Sequence, residues 1–194
     1  MIASGDLRNV VKSLASLPAD FSGHCNIVVN DKDFDIVARN VLLILVSFYY
    51  EPTEASVIMI HLWYSAFLPA AILSSLRAKV LPQIQEVCSK IRDKKSDALL
   101  AKTWKCGSRS LRLVLQKEQW DQLPAYLDVP AGLSTAQAQR IRRATTLAPQ
   151  REDYLHRALY TKPPEWRVCI MKFREDGILL PFGACRRDFC TPNP

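Results

Sequence analysis

The chain has 194 residues, 48% of them hydrophobic and 23% charged, which is ordinary for a globular protein with a real core. Six glycines are too few for a fibrous or disordered chain. The longest apolar run, residues 41–50, is too short to cross a bilayer, and no secretory leader opens the sequence. We therefore expect an intracellular, cytoplasmic protein without a membrane segment, whose six cysteines are free thiols.

The formal net charge of +7 is unevenly distributed. Residues 77–117 contain eleven basic and three acidic side chains, whereas residues 1–76 contain four basic and seven acidic ones. A basic central segment can bind nucleic acid, an acidic protein or an anionic surface. The competing explanation is that these charges lie on a solvated helix face. Nucleic acid is therefore one predicted partner, although the sequence contains no recognised nucleic-acid module.

The first quarter of the chain predicts helix, strand and helix. Leu7 to Leu17 has apolar residues at helical spacing, and Asp6 is placed to cap this helix. Residues 25–29, Cys-Asn-Ile-Val-Val, are a β-branched run that predicts a buried strand, which closes at Asp31. A nearly apolar helix is then predicted over residues 33–50, and such a helix must be covered on most sides.

The remainder predicts mainly helices. A helix over residues 52–68 precedes a long helical stretch over residues 70–104, with a kink at Pro82. Alternating residues from Leu111 to Leu115 predict a short strand. Further helices are predicted over residues 117–127, 134–145 (with a capping box of Ser134 and Gln137), 149–159 and 166–173 (stopped by Gly177), then a short strand over residues 178–180 and a loose end over residues 185–194.

The order helix, strand, acidic strand end, helix is typical of a Rossmann-like nucleotide fold. In such folds a glycine turn after the first strand approaches the ligand, and an acidic residue ending the second strand binds ribose hydroxyls. Gly5 and Asp6 would form the turn and Asp31 the ribose contact, with S-adenosylmethionine or a nucleotide as cofactor. A single glycine is not the full Gly-x-Gly-x-x-Gly fingerprint, so a capped turn and a solvated strand end are the competing explanation.

The position of this turn predicts that the chain is a piece of a longer protein. The turn Ser4-Gly5-Asp6 stands at the start of the sequence, and only Met1–Ala3 remain for the strand that should precede it. We therefore expect most of the first strand to lie before residue 1, which would leave the ligand crevice incomplete.

Catalytic and metal-binding groups form no recognisable set. The cysteines and histidines lack the paired spacing of zinc sites, and no local pattern marks a serine or cysteine nucleophile. His61 lies in an apolar helix beside Trp63, as a core histidine does. The loop Gly107–Ser110 carries one cation, Arg109, which could contact phosphate or simply be solvated. We therefore predict no catalytic residue and no metal ligand.

Short motifs in a fixed order resemble a known family. They are Gly-Asp-Leu-Arg-Asn-Val-Val at 5–11, Leu-Pro-Ala-Asp-Phe-Ser-Gly at 17–23, Val-Val-Asn-Asp at 28–31, Val-Ala-Arg-Asn-Val-Leu-Leu at 37–43, His-Leu-Trp-Tyr-Ser at 61–65, Gly-Ser-Arg-Ser-Leu-Arg at 107–112, Lys-Glu-Gln-Trp at 117–120, Thr-Leu-Ala-Pro at 146–149 and Gly-Ile-Leu-Leu-Pro-Phe-Gly at 177–183. They resemble a domain of unknown function in fungal proteins that carry a MYND-type zinc finger. That domain is similar to the N-terminal domain of axonemal dynein assembly factors.

The resemblance covers nearly the whole chain. It implies a Rossmann-type, methyltransferase-like fold that is generally without an assigned reaction. The sequence lacks the paired cysteines of a MYND finger, so the resemblance does not imply zinc binding here. A protein partner is the expectation that follows from the resemblance together with the missing catalytic set.

These patterns combine into one α/β prediction. Residues 1–115 are expected to form a Rossmann-like, methyltransferase-like core that lacks its complete first strand, and residues 116–194 a mainly helical extension of the same domain. The leading function is a protein-interaction or scaffold domain; the alternatives are an S-adenosylmethionine-dependent methyltransferase-like enzyme and a basic nucleic-acid-binding protein. The candidate cofactor contacts are Gly5, Asp6 and Asp31, and the candidate crevice or interaction residues are Arg8, Asn9, Arg39, Asn40 and Arg109.

Overall fold

A computed structural model describes residues 5–194, apart from the side chain of residue 158. The predicted remnant of a first strand, Met1–Ala3, and Ser4 lie outside the described residues. The helices are α1 (Arg8–Ala15), α2 (Phe34–Tyr49), α3 (Pro52–Tyr64), α4 (Ala70–Lys79), α5 (Leu81–Lys90), α6 (Lys117–Gln122), α7 (Thr135–Thr146), α8 (Glu152–Thr161) and α9 (Pro164–Asp176), with 3₁₀ turns at Leu123–Leu127 and Pro149–Arg151; the strands are β1 (Phe67–Pro69), β2 (Leu99–Cys106), β3 (Arg109–Gln116) and β4 (Phe189–Pro192).

The core forms around α2, as its apolar sequence predicts. The Asp33 carboxylate caps this helix by accepting the Asp35 amide at 3.0 Å. The helix is then buried on several sides, because it packs against neighbours from both halves of the chain. Core residues come from α2 (Ala38, Val41, Leu45, Val46), α3 (Ile58), α4 and α5 (Leu76, Ile84), the β2–β3 pair (Trp104, Leu113, Leu115), and α6 with its following turn (Trp120, Leu123, Leu127).

The predicted long helix over residues 70–104 is wrong at its C-terminal end. The helical stretch divides at Val80 into α4 and α5 and ends at Lys90, and residues 99–106 form β2. β2 pairs antiparallel with β3, which confirms the strand predicted over Leu111–Leu115. Leucine, alanine and lysine favour a helix locally, but pairing with β3 buries Trp104 on the core side of a strand.

A two-residue turn joins β2 to β3. Gly107 has φ of 58° at its first position, and no non-glycine residue of the described chain has positive φ. This pattern is that of the type II′ turn, whose backbone twist matches the twist of the flanking strands. The resulting hairpin, β2 and β3 together, is called the ribbon below.

The predicted loose C-terminal end is wrong for residues 189–192. These residues form β4, which pairs antiparallel with β1, so that Phe67 lies opposite Pro192. The Asn193 amide side chain then donates to the Ser65 carbonyl at 2.7 Å, at the C-terminal end of α3. The predicted helix over residues 52–68 ends early, at Tyr64, because residues 67–69 pair with this distant strand.

The predicted buried strand over residues 25–29 is also wrong. Residues 24–30 have neither helical nor strand structure, and Ile27 and Val28 are 46% and 88% exposed. A β-branched run favours an extended backbone, but it becomes buried only where another element covers it. The short strand predicted over residues 178–180 is absent from the structure for a similar reason, because no strand pairs with these residues.

Among the described residues, the architecture is mainly helical with two small antiparallel sheets, β1–β4 and β2–β3. The Rossmann-like core and the division of the domain at residue 115 stay predictions. No helix among residues 5–194 is both long enough and apolar enough to cross a membrane.

A buried polar cluster connects α3 to the C-terminal residues. His61 is 6% exposed, its Nδ1 atom lies 3.0 Å from Ser65 Oγ, and the Phe189 ring contacts it edge-on at a centroid distance of 4.9 Å. Ser65 Oγ also accepts the Leu179 amide at 3.0 Å. Burial lowers the pKa of His61, so the fold favours the neutral imidazole. His61 is therefore the core histidine that the sequence predicts.

This burial makes stability depend on pH. The neutral form of His61 contributes fully above the unfolded-state pKa of about 6.5, and its contribution is lost as the pH falls below that value. We expect the free energy of unfolding to decrease between about pH 7.5 and pH 5.5, as measured by urea denaturation. His61→Gln should flatten this decrease, whereas His156→Gln, at an exposed position, should preserve it. Equal pH slopes in the wild type and His61→Gln would contradict the assignment.

Candidate functional site

Three of the predicted site residues meet at the N-terminal turn. The Gly5 amide donates to Asp31 Oδ2 at 2.9 Å, and Asn40 Nδ2 donates to the Gly5 carbonyl at 2.8 Å. Gly5 has φ of 60°, a conformation that glycine adopts without the strain a side chain would introduce. The structure thus joins the turn, the acidic residue and the second helix, which lie 26 and 35 residues apart in sequence from Gly5.

Both oxygens of the Asp31 carboxylate accept backbone amides. While Oδ2 accepts the Gly5 amide, Oδ1 accepts the Asp33 amide at 3.1 Å. The amides of Asp33 and Gly5 lower the pKa of Asp31, because both bonds favour the charged form. Asp31 therefore closes the turn in this structure, and a ribose hydroxyl would share its oxygens with two backbone donors.

Asn40 is the buried anchor of this arrangement. Its side chain is 3% exposed, and its Oδ1 atom has no hydrogen-bond partner among the described residues. A buried amide that uses only its donor side leaves one acceptor available to a ligand or to water.

The other residues of the turn hold the start of α1. Asp6 Oδ1 accepts the Arg8 amide at 2.8 Å, and Asp6 Oδ2 pairs with Arg8 Nε at 2.6 Å. Asp6 thus accepts an amide of the first turn, as its predicted capping role requires, although α1 begins at Arg8 and the N-cap position is Leu7. Leu7 is buried, whereas the Asn9 side chain is exposed and makes no hydrogen bond within the described part of the chain.

Arg39 does not join the Gly5 turn, although it precedes Asn40 in sequence. Neighbouring residues on a helix point about 100° apart, so Arg39 faces a different space from Asn40. That space is a cavity of about 380 Å³. Its lining residues are Asp35, Arg39, Leu42, Leu43, Leu62, Tyr126, Asn193 and Pro194.

Arg109 lies at another end of the molecule. Its guanidinium packs over the Phe48 ring, 5.6 Å from the centroid, and donates to Cys106 Sγ at 3.5 Å. Phe48 follows Asn40 by eight residues on α2, which is about 12 Å along the helix axis. Arg109 is therefore not a member of the crevice that Gly5, Asp31 and Asn40 form.

An exposed apolar surface was missed by the sequence reasoning. It consists of side chains from α1 and the segment that follows it, and it is called the apolar N-terminal surface below. Its members are Val11, Leu14, Leu17, Phe21, Ile27 and Val28, each between 37% and 88% exposed. The helical spacing of the first three was visible in the sequence, but such spacing does not say whether a partner element covers the face.

The Asp31 contacts predict a local effect on α1. In Asp31→Ala, the Gly5 amide loses its acceptor, so the turn that precedes α1 should open more often and residues 5–17 should be cut faster by a broad-specificity protease. Asp20→Ala removes an exposed carboxylate from the same region and should leave the cleavage rate unchanged. Identical cleavage of both variants would show that the Gly5–Asp31 hydrogen bond does not hold α1.

The Gly5–Asp31 bond should also weaken in the wild type below about pH 4. The Asp31 carboxylate stabilises the turn in its charged form, and this stabilisation is lost when the carboxylate is protonated.

Within the described residues, no group of three His, Cys, Asp or Glu side chains is arranged to hold a metal ion. Comparison with curated proteins and with solved structures returns no significant match. The turn at Gly5, Asp31, Asn40 and all of α1 to α3 lie within residues 1–68. Residues 1–68 match the family model of a domain of unknown function, DUF4470.

Proposed function

We propose that the chain is a protein-interaction domain, and that its partner binds the apolar N-terminal surface. The observation that carries this proposal is that α1 has no buried residue within its bounds, although its apolar residues form one face. Val11 and Leu14 are each 44% exposed, and Val28 is 88% exposed. Several exposed apolar side chains in one segment of a chain mark a candidate protein–protein contact site.

The local geometry keeps this surface in place for a partner. Leu7 and the Asp6–Arg8 pair fix the start of α1, and the Gly5–Asp31 bond connects it to the segment that carries Ile27 and Val28. A surface that is held before binding loses less conformational freedom on association than a disordered one. The Gly5–Asp31 bond thus supports the proposed surface by holding the start of α1 in place.

The match to a domain without an assigned reaction is compatible with this proposal. The resemblance to a domain of fungal MYND-finger proteins and to axonemal dynein assembly factors adds support, because it implies a domain that is generally without an assigned reaction. The proposed partner is a protein that offers an apolar face of its own to residues 11–28.

Two charge-matched variants test the proposal. Leu14→Glu with Val28→Glu places two carboxylates in the apolar N-terminal surface, and Ser13→Glu with Asn26→Glu places two on the same elements at exposed polar positions. Proteins crosslinked to the wild type in cells should be lost from the first variant and kept by the second. Retention of the same proteins by both variants would refute the proposed surface.

A second candidate function, binding of duplex nucleic acid, is favoured by the ribbon. Residues 99–116 contain four basic side chains and no acidic one. Lys105 and Arg112 lie on the outer face, on diagonal positions of the register that pairs Lys105 with Ser110. Neither cation has an acidic partner within 4 Å in the described residues. A two-stranded ribbon also has the width that the major groove of B-DNA admits.

The salt dependence of DNA affinity distinguishes specific contacts made by the ribbon from a general effect of net positive charge. Wild-type affinity for a 20-base-pair duplex should fall with salt, and Lys105→Gln with Arg112→Gln should reduce the slope of log affinity against log salt by about two. Lys79→Gln with Lys90→Gln removes the same charge from cations already paired with Glu54 and Glu86, and should change the slope less. Equal slopes in the two variants would attribute binding to net charge alone.

A methyltransferase-like activity is a third candidate, favoured by the convergence of Gly5, Asp31 and Asn40. In this proposal Gly5 and Asp6 would contact the methionine part of S-adenosylmethionine, and Asp31 would accept a ribose hydroxyl. Calorimetric titration with S-adenosylmethionine and with its demethylated product should then give heat that Asp31→Ala abolishes. Absence of heat at high protein concentration would remove this candidate.

A further inference from the structure

The cavity beside Arg39 contains a cation without a protein counter-ion. Arg39 makes no hydrogen bond or ion pair with any other described residue, and its Nε atom is buried without a partner. A guanidinium carries five N–H donors in a planar fork, and burying part of it unpaired costs free energy. An arginine in this state is stabilised by whatever anion can enter the cavity.

The acidic residue of the same cavity is occupied elsewhere. Asp35 lies one helical turn before Arg39 on α2, yet no Arg39 nitrogen lies within 4 Å of an Asp35 carboxylate oxygen. Instead Asp35 Oδ1 accepts the hydroxyl of Tyr126. Burial, together with this bond to Asp35, raises the pKa of Tyr126 to about 12, so the phenol remains a donor to the carboxylate at neutral pH. Asp35 is thereby held by Tyr126 and does not neutralise Arg39.

The remaining walls are chiefly apolar. Leu42 and Leu43 of α2 and Leu62 of α3 line the cavity beside Arg39. A space of about 380 Å³ lies within the range of small-molecule sites, which combine an apolar lining with a few convergent polar groups. Such walls favour a ligand with a hydrocarbon body over a fully hydrated ion.

We propose that this cavity binds a small organic carboxylate, with its anionic group on the Arg39 guanidinium and its apolar body against Leu42, Leu43 and Leu62. The carboxylate matches the fork of the guanidinium, which can donate two parallel hydrogen bonds to it. Asp35 repels the ligand in part, so the site discriminates in favour of one negative charge and against two. This site is separate from the apolar N-terminal surface, and neither proposal depends on the other.

Calorimetric titration of the 194-residue chain with hexanoate tests the proposal. Hexan-1-ol is the probe without the charge, inorganic phosphate the probe without the apolar body, and N-acetyl-leucine the probe that presents its carboxylate as a peptide terminus does. We expect hexanoate or N-acetyl-leucine to bind, and the tighter of the two to show whether a free acid or a chain terminus is the ligand. Hexan-1-ol and phosphate should bind at least about ten-fold more weakly.

Two variants with opposite expected effects on hexanoate affinity complete the test. Arg39→Gln should weaken hexanoate binding about ten-fold or more, and Asp35→Asn should tighten it about two- to five-fold by removing repulsion. Arg92→Gln removes an equal charge from an exposed position and should leave the affinity unchanged. Far-UV circular dichroism checks folding, and the opposite-sign result from Asp35→Asn keeps the test decisive if Arg39→Gln does not fold. No binding at 10 mM hexanoate, equal binding of hexan-1-ol, or equal affinity in Arg39→Gln and the wild type would overturn the proposal.

Discussion

Gly177→Ala is expected to lower the free energy of unfolding by about 2–4 kcal/mol, through two separate effects. Gly177 ends α9 with φ of 77°, in the left-handed region where a side chain is strained. A Cβ atom there would also lie 2.3 Å from Arg142 Cδ and 3.1 Å from Ala66 Cβ. Arg142 cannot move aside freely, because its guanidinium donates to the Arg174 and Glu175 carbonyls at 2.9 and 2.7 Å.

Gly132→Ala separates the two effects. Gly132 has φ of 80°, but no atom lies within 4 Å of its added Cβ, so only the backbone strain of about 1–2 kcal/mol should appear. Chemical denaturation of both variants measures the difference. If Gly177→Ala costs no more than Gly132→Ala, the contact with Arg142 is not a constraint and α7 does not hold the end of α9.

Trp120→Ala should give the largest effect of any substitution considered, about 3–5 kcal/mol. The Trp120 side chain is fully buried in the core, and its ring centroid lies 5.9 Å from that of Trp104. Truncation leaves a cavity between α6 and the ribbon, and it also removes the indole N–H that donates to the Leu100 carbonyl at 3.2 Å. A loss of this size is a large fraction of the stability of a small domain.

Trp166→Ala is the matched control, because Trp166 is 61% exposed on α9. Its removal should change the free energy of unfolding by no more than about 0.5 kcal/mol. Trp120→Phe should lie between the two, since it keeps most of the volume but loses the bond to Leu100. Equal melting of the two alanine variants would place Trp120 outside the core.

Local signals in the sequence predicted local structure well. The Ser134 and Gln137 capping box starts α7, Gly177 stops α9, and Trp120 points inward, as their patterns indicate. Each of these features depends on residues within one or two turns of one another, so the sequence contains the whole cause.

The secondary-structure predictions that proved wrong depend on contacts between distant parts of the chain. Residues 99–106 and 189–192 became strands because of partners elsewhere in the chain, and residues 25–29 stayed exposed because no described element covers them. Propensity and periodicity describe a segment, whereas strand pairing and burial belong to a pair of segments. The sequences of these three segments alone are therefore equally compatible with a helix, a strand or an irregular structure.

The candidate site was likewise predicted in part, because some of its contacts follow a known sequence pattern and others depend on tertiary packing. The approach of Gly5 to Asp31 was predicted, because a glycine turn and an acidic residue at that separation form a known pattern. The bond from Asn40 to Gly5 was anticipated only as a shared crevice. Arg39 was assigned to the same crevice and lines a different cavity, since the space that a helical side chain faces depends on tertiary packing.

The pairing of β1 with β4 also sets an order of events during synthesis. Ser65 and Asn193, which bond at 2.7 Å, are 128 residues apart, and at about 5–20 residues per second the ribosome needs roughly 6–25 s between them. The region that matches DUF4470 ends within β1. Throughout this interval β1 has been synthesised, but its pairing partner β4 has not. Phe67 and Leu68, buried in the finished protein, are meanwhile available to chaperones, and nascent chains halted before residue 189 should remain bound to them.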